Sequence, residues 1–369
     1  MVGDLSSLPP IKVLRGLRGI GKTTVLLQLM AACSEKRFYF SADWPQVKNL
    51  SLYEYTVRLI ENGIKMLFID EIHTIPHWER DIKAVVDQFP SARLLVSGSA
   101  PVVFRGDRRE KVYEWGPMTF SEYLHLRYDV TLDIQGGEWQ SQDDSARLTA
   151  RLYPNINTWF KEYIQIGGFP FSLEYSFDDS LQTIFTVIKQ SLEKDAVSIL
   201  KLSAQKVLAM EKLLYFVATS KPGELSVNSL SRNLGISKPI IDEIIQALDQ
   251  MKILRVLRPL ATGARLVRGE PKILFAHPNL RFAICRKLGI EPEIGSVREE
   301  LALFGFELLG YSVHTVKGFK KNPDYVIKKG MEEIVVEIGG PNKGGSQIQD
   351  IPNALIVRGQ QLMALLLTA

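Results

Sequence analysis

The sequence predicts an α/β fold built on a parallel sheet, and three observations predict it. Short apolar runs recur at residues 11–15, 38–40, 66–69 and 93–96, each too continuous for a strand with one wet face. Segments with apolar residues at helical spacing fall between them, at 23–33, 52–61 and 82–89. Strands that alternate with helices pair in parallel, and the crossover helices cover the sheet. Hydrophobic residues make up 46% of the chain and charged ones 23%, which fills a core and excludes a disordered, collagen-like or rod-like chain.

At 369 residues the chain has room for two to three domains. No apolar run approaches the roughly 18 residues that span a bilayer. Met1 to Pro10 shows no basic-then-apolar pattern, so neither a membrane segment nor a secretory signal is expected. Two cysteines, Cys33 and Cys285, make no disulfide framework, and reduced thiols in a cytoplasm are expected. The formal charge of +4 neither demands nor excludes nucleic acid.

Taken in order, the run at 11–15 ends on glycine, and the helix at 23–33 carries Val25, Leu26, Leu29 and Met30 on one stripe. The strand–helix layer ends near Trp115. Residues 119–204 read as helices and loops, with an exposed polar loop at 135–144. Residues 212–253 form a three-helix pattern in which Gly235 supplies a tight turn and Ser237 a helix N-cap, as a helix-turn-helix requires. Strand-like and helical runs resume after Gly269, and residues 311–357 are rich in β pattern.

The segment from Gly16 to Thr23, GLRGIGKT, fits G-x-x-x-x-G-K-[ST] and sits between a buried strand and a helix. Gly16, Gly19 and Gly21 let consecutive backbone N–H groups face a phosphate, and the helix N-terminus adds a favourable dipole. Lys22 then reaches the β- and γ-phosphates, Thr23 offers its hydroxyl to Mg²⁺, and Thr24 lies at the same helix start. A second strand delivers Asp70 and Glu71, an acid for the Mg²⁺ shell and a general base for water; the alternative is that the two cap the next helix. Ser97 ends another strand as a γ-phosphate sensor or as part of a turn. Of Arg108 and Arg109, Arg109 is the candidate arginine finger, against an ordinary surface arginine.

With these residues in place the chain resembles a prokaryotic AAA-type P-loop ATPase of the archaeal-ATPase, STAND-like group. The resemblance also rests on FIDEIHTIPHWERDIKAVVD from Phe68, LLVSGSAP from Leu94, GPMTFSEYL from Gly116 and IGGFP from Ile166. It implies a P-loop NTPase core at 1–116, a helical lid at 117–205, a winged helix at 206–262 and an α/β restriction-endonuclease-like domain at 263–369. ATP and Mg²⁺ are the cofactors it implies.

The second helix of the helix-turn-helix carries Asp242, Glu243 and Asp249 against Lys238, a poor composition for reading bases. Packing between domains is the competing role for the winged helix. From Lys252 to Lys287, however, nine basic residues face only Glu270, a local charge of +8. That stretch either holds a DNA or RNA backbone or makes salt bridges within the protein. Further on, Asp324 and Glu337 on two strands resemble the acidic signature of PD-(D/E)xK nucleases, with Glu299 placed like its upstream helical acid and Gln347 like a site glutamine. Gly339 stands where that signature has lysine, and Lys343 is the nearby substitute. An active nuclease, a silent relative and a chance match all stay open.

The reading as a whole is a cytoplasmic, Mg²⁺-dependent ATP-binding and ATP-hydrolysing protein, near nucleic acid, whose nucleotide state controls its C-terminal domains. The alternatives are an ATP-gated nuclease or a non-enzymatic switch that binds a protein partner.

Overall fold

The computed structural model describes residues 7–48, 50–101, 108–132, 152–221, 225–260, 270–316, 323–340, 343–344, 348, 351 and 353–368. The expected loop at 135–144, Gln347, and Arg265 and Arg268 of the basic stretch lie outside them. The chain divides into two units, one of Met1–Gly116 with Lys194–Lys201, the other of Pro117–Glu193 with Leu202–Ala369. Among the described residues no helix is long and apolar enough to cross a membrane.

The first unit alternates β1 (Ile11–Gly16), α1 (Lys22–Ala32), β2 (Arg37–Ser41), α2 (Leu52–Glu61), β3 (Met66–Asp70), α3 (Trp78–Gln88), β4 (Arg93–Ser99) and β5 (Glu110–Glu114). The strands form one parallel sheet in the order β2-β3-β4-β1-β5. This is an α/β unit with the five-stranded parallel sheet of a P-loop NTPase-like core.

The apolar runs are continuous because their alternate residues feed two different cores. Val13, Leu67, Ile69, Leu94 and Val96 pack with Leu52 of α2 and Ile82, Val85 and Val86 of α3. Leu14, Met66, Phe68 and Leu95 pack on the other face with Leu26 of α1. Each such side chain contributes roughly 1.5–3 kcal/mol by leaving water. β5 was not foreseen, because its sequence EKVYE is an edge strand with charges on both faces.

The second unit opens with α4 (Phe120–Tyr128), whose Thr119 and Glu122 form a capping box. α5 (Ile156–Glu162) runs into a π-helical turn at Tyr163–Gly167, followed by α6 (Phe177–Gln190) and α7 (Ala204–Thr219). α8 (Val227–Leu234) ends at Gly235, held at φ 66°, and α9 (Lys238–Gln250) follows. Ser237 precedes α9 in extended conformation, but its side chain makes no capping bond, contrary to expectation.

β6 (Leu254–Leu257) and β7 (Lys272–Phe275) pair antiparallel. After α10 (Pro278–Leu288) and α11 (Ile294–Leu308), β8 (Ser312–Thr315), β9 (Tyr325–Lys329), β10 (Glu332–Ile338) and β11 (Ala354–Val357) make a mixed sheet ordered β11-β10-β9-β8. α12 (Gly359–Thr368) follows. Phe120, Tyr123 and Tyr163 share one core with Leu303, Tyr325, Val336 and Leu365, so the first helices of this unit and its last sheet are packed together.

The IGGFP motif has a packing cause. A Cβ at Gly168 would lie 2.6 Å from Asn279 Oδ1 and 2.7 Å from His277 Cε1. The π-helical turn leaves carbonyls without helical partners, and the fully buried Asn279 uses them. It donates to the Tyr163 and Ile164 carbonyls at 3.0 and 2.7 Å and accepts from the Gly168 N–H at 2.7 Å.

Candidate functional site

β1 hands the chain to the glycine loop at the C-terminal edge of the sheet, and α1 starts where the loop closes. A Cβ on Gly16 would meet the Trp115 carbonyl at 2.1 Å, so only glycine fits there. Gly19 and Gly21 sit at φ 74° and 87°, conformations that free the loop N–H groups to turn inward. Trp115 Nε1 donates to the Ile20 carbonyl at 3.1 Å and fixes the loop from outside. Lys22 is buried, with Nζ donating to the Gly16 and Leu17 carbonyls at 2.9 and 2.7 Å. Burial pushes the Lys22 pKa down against the pull of Glu71.

At the end of β3 the buried Asp70 gathers hydroxyls. Thr23 Oγ1 donates to its Oδ2 at 2.6 Å, Tyr39 OH to the same oxygen at 3.3 Å, and Ser97 Oγ to Oδ1. Ser97 therefore holds Asp70 and also accepts the Glu71 N–H at 3.1 Å, a supporting position behind the acid. Glu71 adopts φ 49°, turning away from the strand direction. Its Oε2 is buried, makes no hydrogen bond, and lies 3.4 Å from His73 Nε2. Burial raises the Glu71 pKa, opposed by Lys22 and Arg18. Burial also lowers His73 to about 4, which leaves that ring neutral at neutral pH.

Thr24 is exposed on the first turn of α1. The loop, Lys22, Thr23, Asp70 and Glu71 thus converge, as the sequence spacing requires.

Arg109 does not join them. The β1–β5 register pairs Ile11 with Glu110, which puts Arg109 at the end of the sheet opposite Gly16, about 16 Å of strand away. There its guanidinium forks onto Asp87 at 2.7 and 3.0 Å. The arginine-finger expectation is corrected for this chain's own site.

Three residues that sequence reasoning missed belong to this unit's site. Arg18, inside the loop, binds Asp195 bidentately, and Asp195 is 177 positions away with no local signal. His73 comes within 3.4 Å of Glu71 Oε2; among the described residues no group of three or more His, Cys, Asp or Glu side chains is placed to hold a metal.

In the second unit, Glu337 and Asp324 do meet. The Asp324 N–H donates to Glu337 Oε2 at 3.2 Å, and the Ile338 N–H to Asp324 Oδ2 at 2.9 Å. Lys343 Nζ lies 2.6 Å from Glu337 Oε1. A Cβ on Gly339 would sit 2.4 Å from Lys343 Cβ and Cγ, so Lys343 occupies the room that glycine leaves. Its pKa is raised, first by the bond to Glu337. Glu299 is hydrogen-bonded by Tyr325 OH at 2.6 Å and paired with Lys272 Nζ at 2.7 Å, and its charge interacts with Asp324 and Lys343.

Within the basic stretch, part of the charge goes to salt bridges, one of the two readings of its sequence. Arg255 forks onto Glu307, Lys272 pairs with Glu299, Arg281 is buried on Glu300, and Arg286 pairs with Asp178. Four of the nine cations thus meet acids that are distant in sequence and near in space.

Residues 8–124 match the family model of an AAA domain, and residues 157–293 match that of a domain of unknown function. An uncharacterised protein of Methanocaldococcus jannaschii is 28% identical to this chain over 368 residues, covering 91% of this chain and 76% of that protein. The AAA match spans the parallel sheet, the glycine loop and the acid pair, and supports a nucleotide-binding ATPase character for the first unit.

Proposed function

We propose that the chain is an Mg²⁺-dependent ATPase whose nucleotide state controls its C-terminal segments. The observation that carries this reading is the 2.6 Å contact between Thr23 and Asp70 beside the buried Lys22 amine. A hydroxyl and a carboxylate are the hard oxygen donors that Mg²⁺ takes. Thr23 and Asp70 would hold the ion, which when bound neutralises phosphate charge. Lys22 exchanges its two loop carbonyls for phosphate oxygens, and the glycine-loop N–H groups orient them. Glu71, with one carboxylate oxygen unengaged, takes the proton of the attacking water.

Binding of ATP, with phosphate release followed over time, tests it. Wild type binds and turns over, Lys22→Ala binds no nucleotide, and Glu71→Gln binds but turns over far more slowly. Equal turnover in wild type and Glu71→Gln removes the base from that residue.

In the second unit, α7, α8 and α9 with the β6–β7 hairpin support a winged helix, and the mixed sheet supports a nuclease-like domain. One observation favours an ATP-gated nuclease: Lys343 reaches Glu337 through the space left by Gly339. Cleavage of plasmid and single strands with Mg²⁺ or Mn²⁺, with and without ATP, is the test. Cleavage lost in Glu337→Ala makes the ATPase a regulator of a nuclease; none in wild type leaves a nucleotide switch with a protein partner. Binding to duplex DNA that weakens with salt would assign the remaining cations of the basic stretch to phosphates. The protein works in the cytoplasm on this reading.

A further inference from the structure

Arg18 is the third residue of the glycine loop, and its guanidinium is held by a carboxylate from far along the chain. Nε lies 3.1 and 2.9 Å from the two oxygens of Asp195, and Nη2 lies 2.6 Å from Oδ1. The Asp195 side chain is 3% exposed and that of Arg18 21%. A carboxylate so buried is tolerated only while it is paired. It also feels the rest of the site, because its charge acts on Lys22, Glu71 and His73.

Asp195 belongs to Lys194–Lys201, a segment that packs with the first unit although the residues on either side of it, Glu193 and Leu202, belong to the second. Ile199 packs against the core cluster that includes Val13, Ile69 and Val96. An anion has therefore been placed among groups whose chemistry suits anions. The two oxygens of a carboxylate meet a guanidinium with the same fork that two phosphate oxygens use. The guanidinium edge that Asp195 takes, Nε with Nη2, can fork onto only one anion at a time. Glu71 is also among the charges that act on Arg18.

Resting on the ATPase reading, we propose that Arg18 is a ligand of the terminal phosphate of ATP and that Asp195 is its intramolecular stand-in. ATP takes Arg18 from Asp195, and the segment Lys194–Lys201 is released from its anchor. Through the chain alone this passes the nucleotide state to the residues on both sides of that segment.

The experiment measures binding of AMP-PNP and ADP, each with Mg²⁺, to the full chain and to Asp195→Asn, Arg18→Ala and the double variant. Removing the competing charge should tighten AMP-PNP binding about tenfold in Asp195→Asn, with a smaller change for ADP. Arg18→Ala should weaken AMP-PNP more than ADP, and Asp195→Asn should then bring no gain. Unchanged or weaker AMP-PNP binding in a folded Asp195→Asn, or an equal gain without Arg18, overturns the proposal. Hydrogen exchange in wild type is the second readout, needed if a variant does not fold. Peptides covering 194–201 should exchange faster with AMP-PNP than with ADP, and identical protection overturns the proposal as well. A wild type that binds neither nucleotide would instead remove the ATPase reading beneath it.

Discussion

Thr23 Oγ1 donates to Asp70 Oδ2 across 2.6 Å, which joins the first turn of α1 to the end of β3. Two elements that enter the sheet separately are thereby locked at one point, with Ser97 holding the opposite oxygen of the same carboxylate. Asp70→Asn replaces an acceptor of three hydroxyls by a group with one accepting atom and no charge. Phosphate release should fall by a factor on the order of 10² or more, and raising Mg²⁺ should recover only part of it. A Mg²⁺ titration of steady-state turnover checks this.

Glu71 gives the turnover a pH signature. Burial raises its pKa above the ordinary carboxylate value, so its basic form is gained at a higher pH than for an exposed glutamate. A base must be ionised to accept a proton, so kcat should climb with pH through that raised value and level off above it. The residual rate of Glu71→Gln should lack the climb. A pH profile of kcat in both proteins is the measurement.

His277 links stability to pH with the opposite chemistry. The ring is fully buried and its pKa is lowered to about 3, first by burial and then by Arg255. The unfolded chain takes up the proton near the ordinary histidine value, about 6.5, whereas the folded chain resists it. The contribution is intact above that value and is lost as pH falls toward 3, by at most about 1.4 kcal/mol per unit. His277→Asn keeps a residue able to cap α10 and should melt lower at neutral pH, by a margin that narrows toward pH 5. Melting temperatures of the two proteins across that range decide it, and a constant margin would exclude the ring.

Asn279 ties the IGGFP turn to α10. It serves three backbone groups from a fully buried position, and no other polar side chain replaces it there among the described residues. Asn279→Leu removes three buried hydrogen bonds to the backbone at once, each worth roughly 1 kcal/mol. A drop in melting temperature far larger than for an exposed substitution such as Asn228→Ala is expected in differential scanning calorimetry.

Legibility in the sequence followed the range of the forces involved. β1, β3 and β4 were readable because burial on both faces leaves an unbroken apolar run, and the glycine loop because its backbone geometry dictates residue type. β5 is held by pairing with β1, which its charged sequence does not advertise. Arg109 follows soon after β4, the strand that brings Ser97 to the site, but strand register carried it to the far end of the sheet. The charge count from Lys252 to Lys287 saw one acid, whereas Glu299, Glu300 and Glu307 of α11 supply the partners in space. Asp195 had no signal at all, since nothing around it fixes where the segment packs.

Gly339 and Lys343 offer the last test, because the two share one volume. The Cβ of Gly339→Ala would sit 2.4 Å from Lys343 Cβ and Cγ, atoms too close to the backbone to swing aside. Lys343 must then leave Glu337, a fully buried carboxylate that its Nζ now meets at 2.6 Å. Arg358 Nη2 donates to the Lys343 carbonyl at 2.6 Å, so the displacement also breaks that bond. The neighbouring Gly340→Ala meets only the mobile end of Arg298, with Nη1 at 3.1 Å, and serves as the control. Gly339→Ala should lower the melting temperature clearly more than Gly340→Ala, because Glu337 loses its ion pair with Lys343 and the Arg358 bond to the Lys343 carbonyl is broken. If the second unit cleaves nucleic acid, Gly339→Ala and Lys343→Ala should lose cleavage together while Gly340→Ala keeps it. Equal stability of the two glycine variants would mean that Lys343 is not bound where the geometry places it.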